Sequence, residues 1–227
     1  MEERSMDALT LIRETFAPLP DKRILDIGCG GGTLAKRLTE DGAAVTGIDP
    51  GAAALAAARA AVPAARFEAA TGEALPFPDA SFDGAVLLNA LHHVPDPAAA
   101  LVEAARVLAP GGRLVVVEPL AAGSFFDALR PIEDETAVRA AAQEAIAAAL
   151  ARGTLACRRE VTIERRERFA SLDAFLARVC AVDPARAAVI AAQRPIVEAA
   201  FDRAAERVAD GGYDLIQPLR IHVLTHA

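Results

Sequence analysis

Arg23-Ile24-Leu25-Asp26-Ile27-Gly28-Cys29-Gly30-Gly31-Gly32-Thr33-Leu34 is the stretch whose reading decides the fold. Arg23 to Ile27 has the branched apolar content of a short buried strand. Four glycines in the next five residues predict a tight turn at which a ligand can approach bare backbone. Thr33 then opens a helix to Glu40, with Leu34 and Leu38 on one face. Strand, glycine turn and helix N-terminus together make a nucleotide cradle on an α/β sheet. Asp26 changes the chemistry expected of it. A carboxylate beside the turn suits an ammonium group better than a pyrophosphate, because like charges repel.

Two nucleotide readings compete. The dinucleotide fingerprint needs a third glycine where this chain has Thr33. That mismatch and Asp26 disfavour an NAD-dependent oxidoreductase. The spacing Asp26, Gly28, Gly30, Gly32 instead resembles the loop of methyltransferases that use S-adenosylmethionine, a ligand with an amino-acid end and no phosphate.

The frame is set by 227 residues with a net charge of −7. That length supports one large α/β domain, expected over residues 1–227, with a covering helix within 1–22 and a substrate-covering insertion over 120–152. The acidic balance argues against a nucleic-acid or anionic-membrane surface. No apolar run approaches the ~18 residues of a membrane span. The start, Met1-Glu2-Glu3-Arg4, lacks a signal-peptide core. Cys29, Cys157 and Cys180 are too few and scattered for a disulfide framework or metal cluster, which points to a reducing cytoplasm.

Taken in order, Met6, Leu9, Ile12 and Phe16 predict a helix over Ser5 to Phe16. Ala44 to Ile48 reads as the second strand, ending at Asp49. An acid about 20 residues past the first glycine is placed to accept hydrogen bonds from ribose hydroxyls; capping the helix that starts after Pro50-Gly51 is the other reading. Ala65 to Ala69 and Phe82 to Asn89 follow as strands. Asp96 and Pro97 open a helix, with Leu101 and Leu108 expected on its buried side. Strands are expected over Leu155 to Arg168 and Tyr213 to Thr225. Helices are expected from about Asp134, from Ser171 and from Asp183-Pro184, the last kinked at Arg194-Pro195 and ending at Gly211-Gly212. The mixed charges of Leu155 to Arg168 read as the solvated face of an outer strand.

Three signatures occur in order: the glycine loop; Thr71-Gly72-Glu73-Ala74-Leu75-Pro76-Phe77-Pro78-Asp79-Ala80-Ser81-Phe82-Asp83; and Leu108-Ala109-Pro110-Gly111-Gly112-Arg113-Leu114. Together they resemble class I S-adenosylmethionine-dependent methyltransferases, of the type 11 or ubiquinone-biosynthesis-like group. The resemblance implies a Rossmann-like α/β fold with a seven-stranded, mostly parallel sheet, helices on both faces, one antiparallel strand and a small helical cap. It implies S-adenosylmethionine as cofactor and a small-molecule methyl acceptor. Asp26 would face the methionine ammonium, with Gly28, Cys29, Gly30 and Gly32 giving backbone approach. Asp49 and Pro50 would lie at the ribose, Thr71, Gly72 and Glu73 at the adenine edge, and Asn89 at the methionine end. Thr71 stands where the family often has an aspartate.

His92, His93 and Glu118 are candidates for catalysis, since they fall where strands end at the ligand crevice. Each also has a plain reading, as a turn residue or cap. Phe125, Phe126 and Arg130 read either as an acceptor pocket or as core, and His222 and His226 have no metal-like spacing. No metal is expected. A non-catalytic cofactor-binding module is the alternative to an enzyme, and fold alone does not separate the two.

Overall fold

The computed structural model describes residues 7–209 and 211–227, so Ser5 and Met6 of the expected first helix lie outside the described residues. Helix α1 (Ala8–Phe16) starts where the Asp7 carboxylate caps the Thr10 amide, and it buries Leu11, Ile12 and Phe16. Strand β1 (Arg23–Ile27) and helix α2 (Thr33–Glu40) flank the glycine turn. Then come β2 (Ala44–Asp49), α3 (Ala52–Ala61), β3 (Arg66–Ala69) and β4 (Phe82–Leu88). A 3-10 turn at Leu91–His93 leads to α4 (Pro97–Arg106) and β5 (Leu108–Pro119). The remainder is α5 (Ser124–Leu129), α6 (Thr136–Ala151), β6 (Leu155–Phe169), α7 (Leu172–Cys180), α8 (Arg186–Ala204), β7 (Glu206–Arg207) and β8 (Tyr213–His226).

The chain divides into two compact units. The first holds residues up to Glu118, 141–163 and 220–227. Its sheet runs β3-β2-β1-β4-β5-β8-β6. Pairs β1/β2, β1/β4, β2/β3 and β4/β5 are all parallel, so the C-terminal ends of β1, β4 and β5 lie side by side. One face of the sheet is packed by Leu25, Ile27, Leu87, Leu114 and Val116 against Leu101 and Ala104 of α4 and Ala142, Ile146 and Ala149 of α6. The first strands are buried almost throughout, as a sheet covered on both faces requires.

The second unit holds residues 119–140 and 164–219. Phe125, Phe169, Phe175 and Phe201 form its aromatic core, with ring centroids 5.4 to 6.3 Å apart. Phe126 is also buried, beneath the Arg139 guanidinium at 4.6 Å. Both Phe125 and Phe126 are therefore core residues in this unit. Arg139 and Arg186 share the buried Glu135 carboxylate, and Arg139 also donates to the Leu120 carbonyl and Gln217. Strand β7 pairs antiparallel with β8.

Two expectations are corrected, the place of Leu108 and the end of α8. Leu108 is not on α4, which ends at Arg106; it is the first residue of β5, paired with Phe82. Between Phe82 and Gly84 the register shifts by a bulge that absorbs Pro110-Gly111-Gly112. Helix α8 stops at Ala204, short of Gly211, and the two-residue β7 intervenes. The kink expected at Arg194-Pro195 is present, with its break at Gln193 (φ −125°, ψ 23°), two residues before Pro195.

Gly84 shows how tightly α1 lies on the sheet. A Cβ there would run into the buried Phe16 ring and come to 3.0 Å from Ile24 Cδ1. Gly84→Ala is therefore expected to lower stability by about 1–3 kcal/mol, through overpacking of a filled core. Urea unfolding checks this, and Phe16→Leu in the same chain should recover part of the loss.

Candidate functional site

The glycine turn is held from β2. Gly28 and Cys29 both donate their amides to the Ile48 carbonyl, each at 2.9 Å. Asp49, the next residue, accepts from Gly30 N at 3.0 Å with one oxygen and from Gly51 N at 2.7 Å with the other. A single carboxylate thus fixes the loop and the start of α3. Both readings of Asp49 meet here: it pins the helix entry, and each oxygen keeps a lone pair for a hydroxyl donor.

The glycines have different tasks. At Gly28 (φ +74°) a Cβ would sit 2.7 Å from Ala90 Cβ, so the loop packs against the turn after β4. At Gly32 a Cβ would press on Ala58 of α3 at 3.1 Å, which makes its role helix packing. A Cβ at Gly30 (φ +51°) would meet nothing within 4 Å, so this residue faces open space. Cys29 is buried, and burial with the Asp26 and Asp49 charges pushes its thiol up to about 12. Pro50 is exposed.

Asp26 is only 2% exposed, and its Oδ2 has no hydrogen-bond partner. Burial pushes its carboxyl up to about 7, the Ala35 amide opposes this, and Asp49 adds to it. A buried acid with an unpartnered oxygen beside an open turn is a receptor for a cation or an N–H donor. Asn89 follows β4 with φ +52°, and its Oδ1 is likewise buried without a partner. Its backbone amide donates to Val117 O at 2.8 Å, so the turn is bound to β5.

Thr71 is exposed and bridges to Ala74, and Gly72 is packed against Ile27 and Ala100. Glu73 is tied into the loop, one oxygen accepting from the Asp96 amide at 3.3 Å. Below it, Arg106 donates to the carbonyls of Leu75 and Phe77 and pairs with Glu103 and Asp79. That clamp explains how a loop with so many prolines keeps one path.

His92 and Glu118 come together. Glu118, fully buried at the end of β5, accepts from Ala90 N at 3.1 Å and Leu91 N at 2.9 Å through one oxygen. Its other oxygen lies 2.5 Å from His92 Nδ1. His93 is exposed and tilts against the His92 ring, centroids 4.0 Å apart. The sequence names each residue singly, but the pairing across 26 positions follows only once β4 and β5 are neighbours. His222 lies 3.5 Å from Glu160 on the far strands, and burial lowers its pKa.

A family profile described as a methyltransferase domain matches residues 25–116. A ubiquinone biosynthesis O-methyltransferase from Paracidovorax citrulli is 42% identical over 103 residues, covering 43% of this chain and 43% of that one. The chain thus matches less than half the length of that curated relative. Among solved structures, a putative methyltransferase from Bacillus halodurans superposes with TM-score 0.69 at 19% identity, over 96% of this chain and 97% of the other. A methyltransferase from Geobacter sulfurreducens in complex with S-adenosyl-L-homocysteine gives 0.58 at 19%, over 96% and 90%. These two likenesses show a shared Rossmann-like fold over the sequence of both units. Among the described residues, no helix is long and apolar enough to cross a membrane.

Asp26 generates a pH prediction. Its carboxyl titrates near 7 in the folded protein and near 3.8 as a free side chain, so folding favours its neutral form. Stability from this group is fully present below pH ~4 and is lost as pH rises through about 7. Asp26→Asn should remove that slope, so the variant gains up to about 4 kcal/mol on wild type between those limits. Urea unfolding of both proteins across pH 4–8 measures it.

Proposed function

We propose that the chain is an enzyme that transfers a methyl group from S-adenosylmethionine to a small-molecule acceptor. The observation that carries this reading is the open backbone at Gly30, flanked by Asp49 and by the unpartnered Asp26 oxygen. The residues fit that ligand in kind. Asp26 and Asn89 offer the buried acceptors that an ammonium needs, Asp49 offers acceptors for vicinal hydroxyls, and the Gly72 backbone lies beside the domain's apolar wall. None of these positions supplies the cationic partner that a pyrophosphate calls for.

S-adenosylmethionine brings a methyl already activated on a sulfonium, so the chemistry of leaving is the ligand's own. The protein's share is to bind and align it, keep water out and handle the acceptor's proton. The relative's name supports an oxygen acceptor, and the acidic net charge favours a small molecule over a nucleic acid.

Calorimetry with S-adenosylhomocysteine and with NAD tests the reading. The homocysteine compound should bind and NAD should not. Asp49→Ala should weaken binding at least tenfold, and Gly30→Val should abolish it, with both variants still folded by circular dichroism. Preference for NAD, or indifference to Gly30→Val, overturns the assignment.

A further inference from the structure

The turn after β4 is built around a buried carboxylate more elaborately than its own folding needs. Glu118 already satisfies two backbone amides, Ala90 N and Leu91 N, with one oxygen. Those two bonds, together with the one from Asn89 N to Val117 O at 2.8 Å, already hold the turn. The second oxygen is spent on an imidazole, His92 Nδ1, at 2.5 Å. With Glu118 as a carboxylate, all three bonds run from N–H donors into it. The His92 proton then resides on Nδ1 and the lone pair on Nε2. An acid that fixes tautomer and ring angle is the arrangement by which a histidine is held ready to receive a proton.

The position of the pair agrees. Glu118 lies near the end of β5 and Asn89 directly follows its parallel neighbour β4, beside the end of β1 from which the glycine turn springs. Asn89 takes a left-handed conformation (φ +52°) that swings the chain back over Glu118. Ala90, next in sequence, is the residue that a Cβ on Gly28 would strike, so the turn carrying His92 abuts the glycine loop. The carboxylate holds the ring, and the turn that bears the ring packs on the glycine loop through Ala90.

Resting on the methyl-transfer reading above, we propose that His92, oriented by Glu118, is the general base for a hydroxyl acceptor of phenol-like acidity. Tertiary amines and carboxylates at neutral pH have no proton to give up, and a base there would be idle. A neutral hydroxyl differs: its oxygen becomes a good nucleophile only as the proton leaves, and imidazole is matched to moderately acidic OH groups. His92 Nε2 takes the hydroxyl proton, and the electron pair of the broken O–H bond stays on oxygen. That oxygen gains its bond to the methyl carbon while the carbon–sulfur pair remains on sulfur. The imidazolium, stabilised by Glu118, later loses the proton to water.

The test combines ring NMR, ligand binding and turnover. In the free protein, nitrogen-15 spectra, with the His92 signals assigned by their loss in His92→Asn, should show a proton on Nδ1 and a bare Nε2. Glu118→Gln should disturb that tautomer. S-adenosylhomocysteine affinity should change less than threefold in His92→Asn and His92→Gln. With methyl-labelled S-adenosylmethionine and a panel of catechol, 4-nitrophenol, benzoate and trimethylamine, label should pass to the phenols. His92→Asn should lose about 10²–10⁴-fold in kcat on catechol, and less than tenfold on 4-nitrophenol, which ionises without help. Label on benzoate or trimethylamine alone, no label on either phenol, equal losses on both phenols, or a proton on Nε2 overturns the proposal. Failure to bind S-adenosylhomocysteine at all is the separate result that sinks the underlying methyl-transfer reading, and this proposal with it.

Discussion

One carboxylate, that of Asp49, carries the geometry on which the site depends. A chain leaving β1 through four glycines in five residues has little intrinsic preference for any one path, and fixing each such residue costs about 1–2 kcal/mol of backbone entropy. Asp49 offsets that cost from the neighbouring strand by accepting from the loop at Gly30 and from the helix entry at Gly51. The Ile48 carbonyl, one residue earlier, holds Gly28 and Cys29. Two consecutive residues of β2 therefore set the bend after β1, and parallel pairing of those strands puts them in place. The open space at Gly30 exists because the loop is tied from behind.

Much of this is legible in the sequence, and the reasons are local. The glycine run, the apolar strands and the caps at Asp96 and Ser171 are decided by neighbouring residues, and the observed caps are made by those side chains. The limits of α2 and the start of β2 agree with the pattern to the residue. Leu108 misleads because seven-residue spacing from Leu101 fits a helix, while the Val107 turn that ends the helix carries no Gly or Pro signal of its own. The early end of α8 at Ala204 is hidden by alanine, a residue that favours continuation. Only tertiary pairing with β8 draws Glu206–Arg207 into a strand.

The candidate site divides the same way. Asp26, Gly30 and Asp49 follow from spacing, because the loop and the end of β2 are close along the chain. The His92–Glu118 pair does not, since its partners lie on separate strands and meet only through the sheet order. Glu73 and Thr71 show the reverse. The sequence offers them as ligand contacts, and the structure engages them first in the loop itself, through the Asp96 amide and the Ala74 bridge. Phe125 and Phe126 are ambiguous by composition and are resolved by burial in the second unit.

Cys29 sits inside the glycine bend, and its thiol is pushed up to about 12 by burial and by two acids. Thiolate is the species that oxidants and alkylating agents attack, so almost none is present there at neutral pH. The bend therefore holds a sulfur atom whose reactive form is disfavoured by the same burial and acids. Cys157, exposed on β6, is more accessible than Cys29 or the half-buried Cys180 and offers an attachment point for a reporter dye away from the bend.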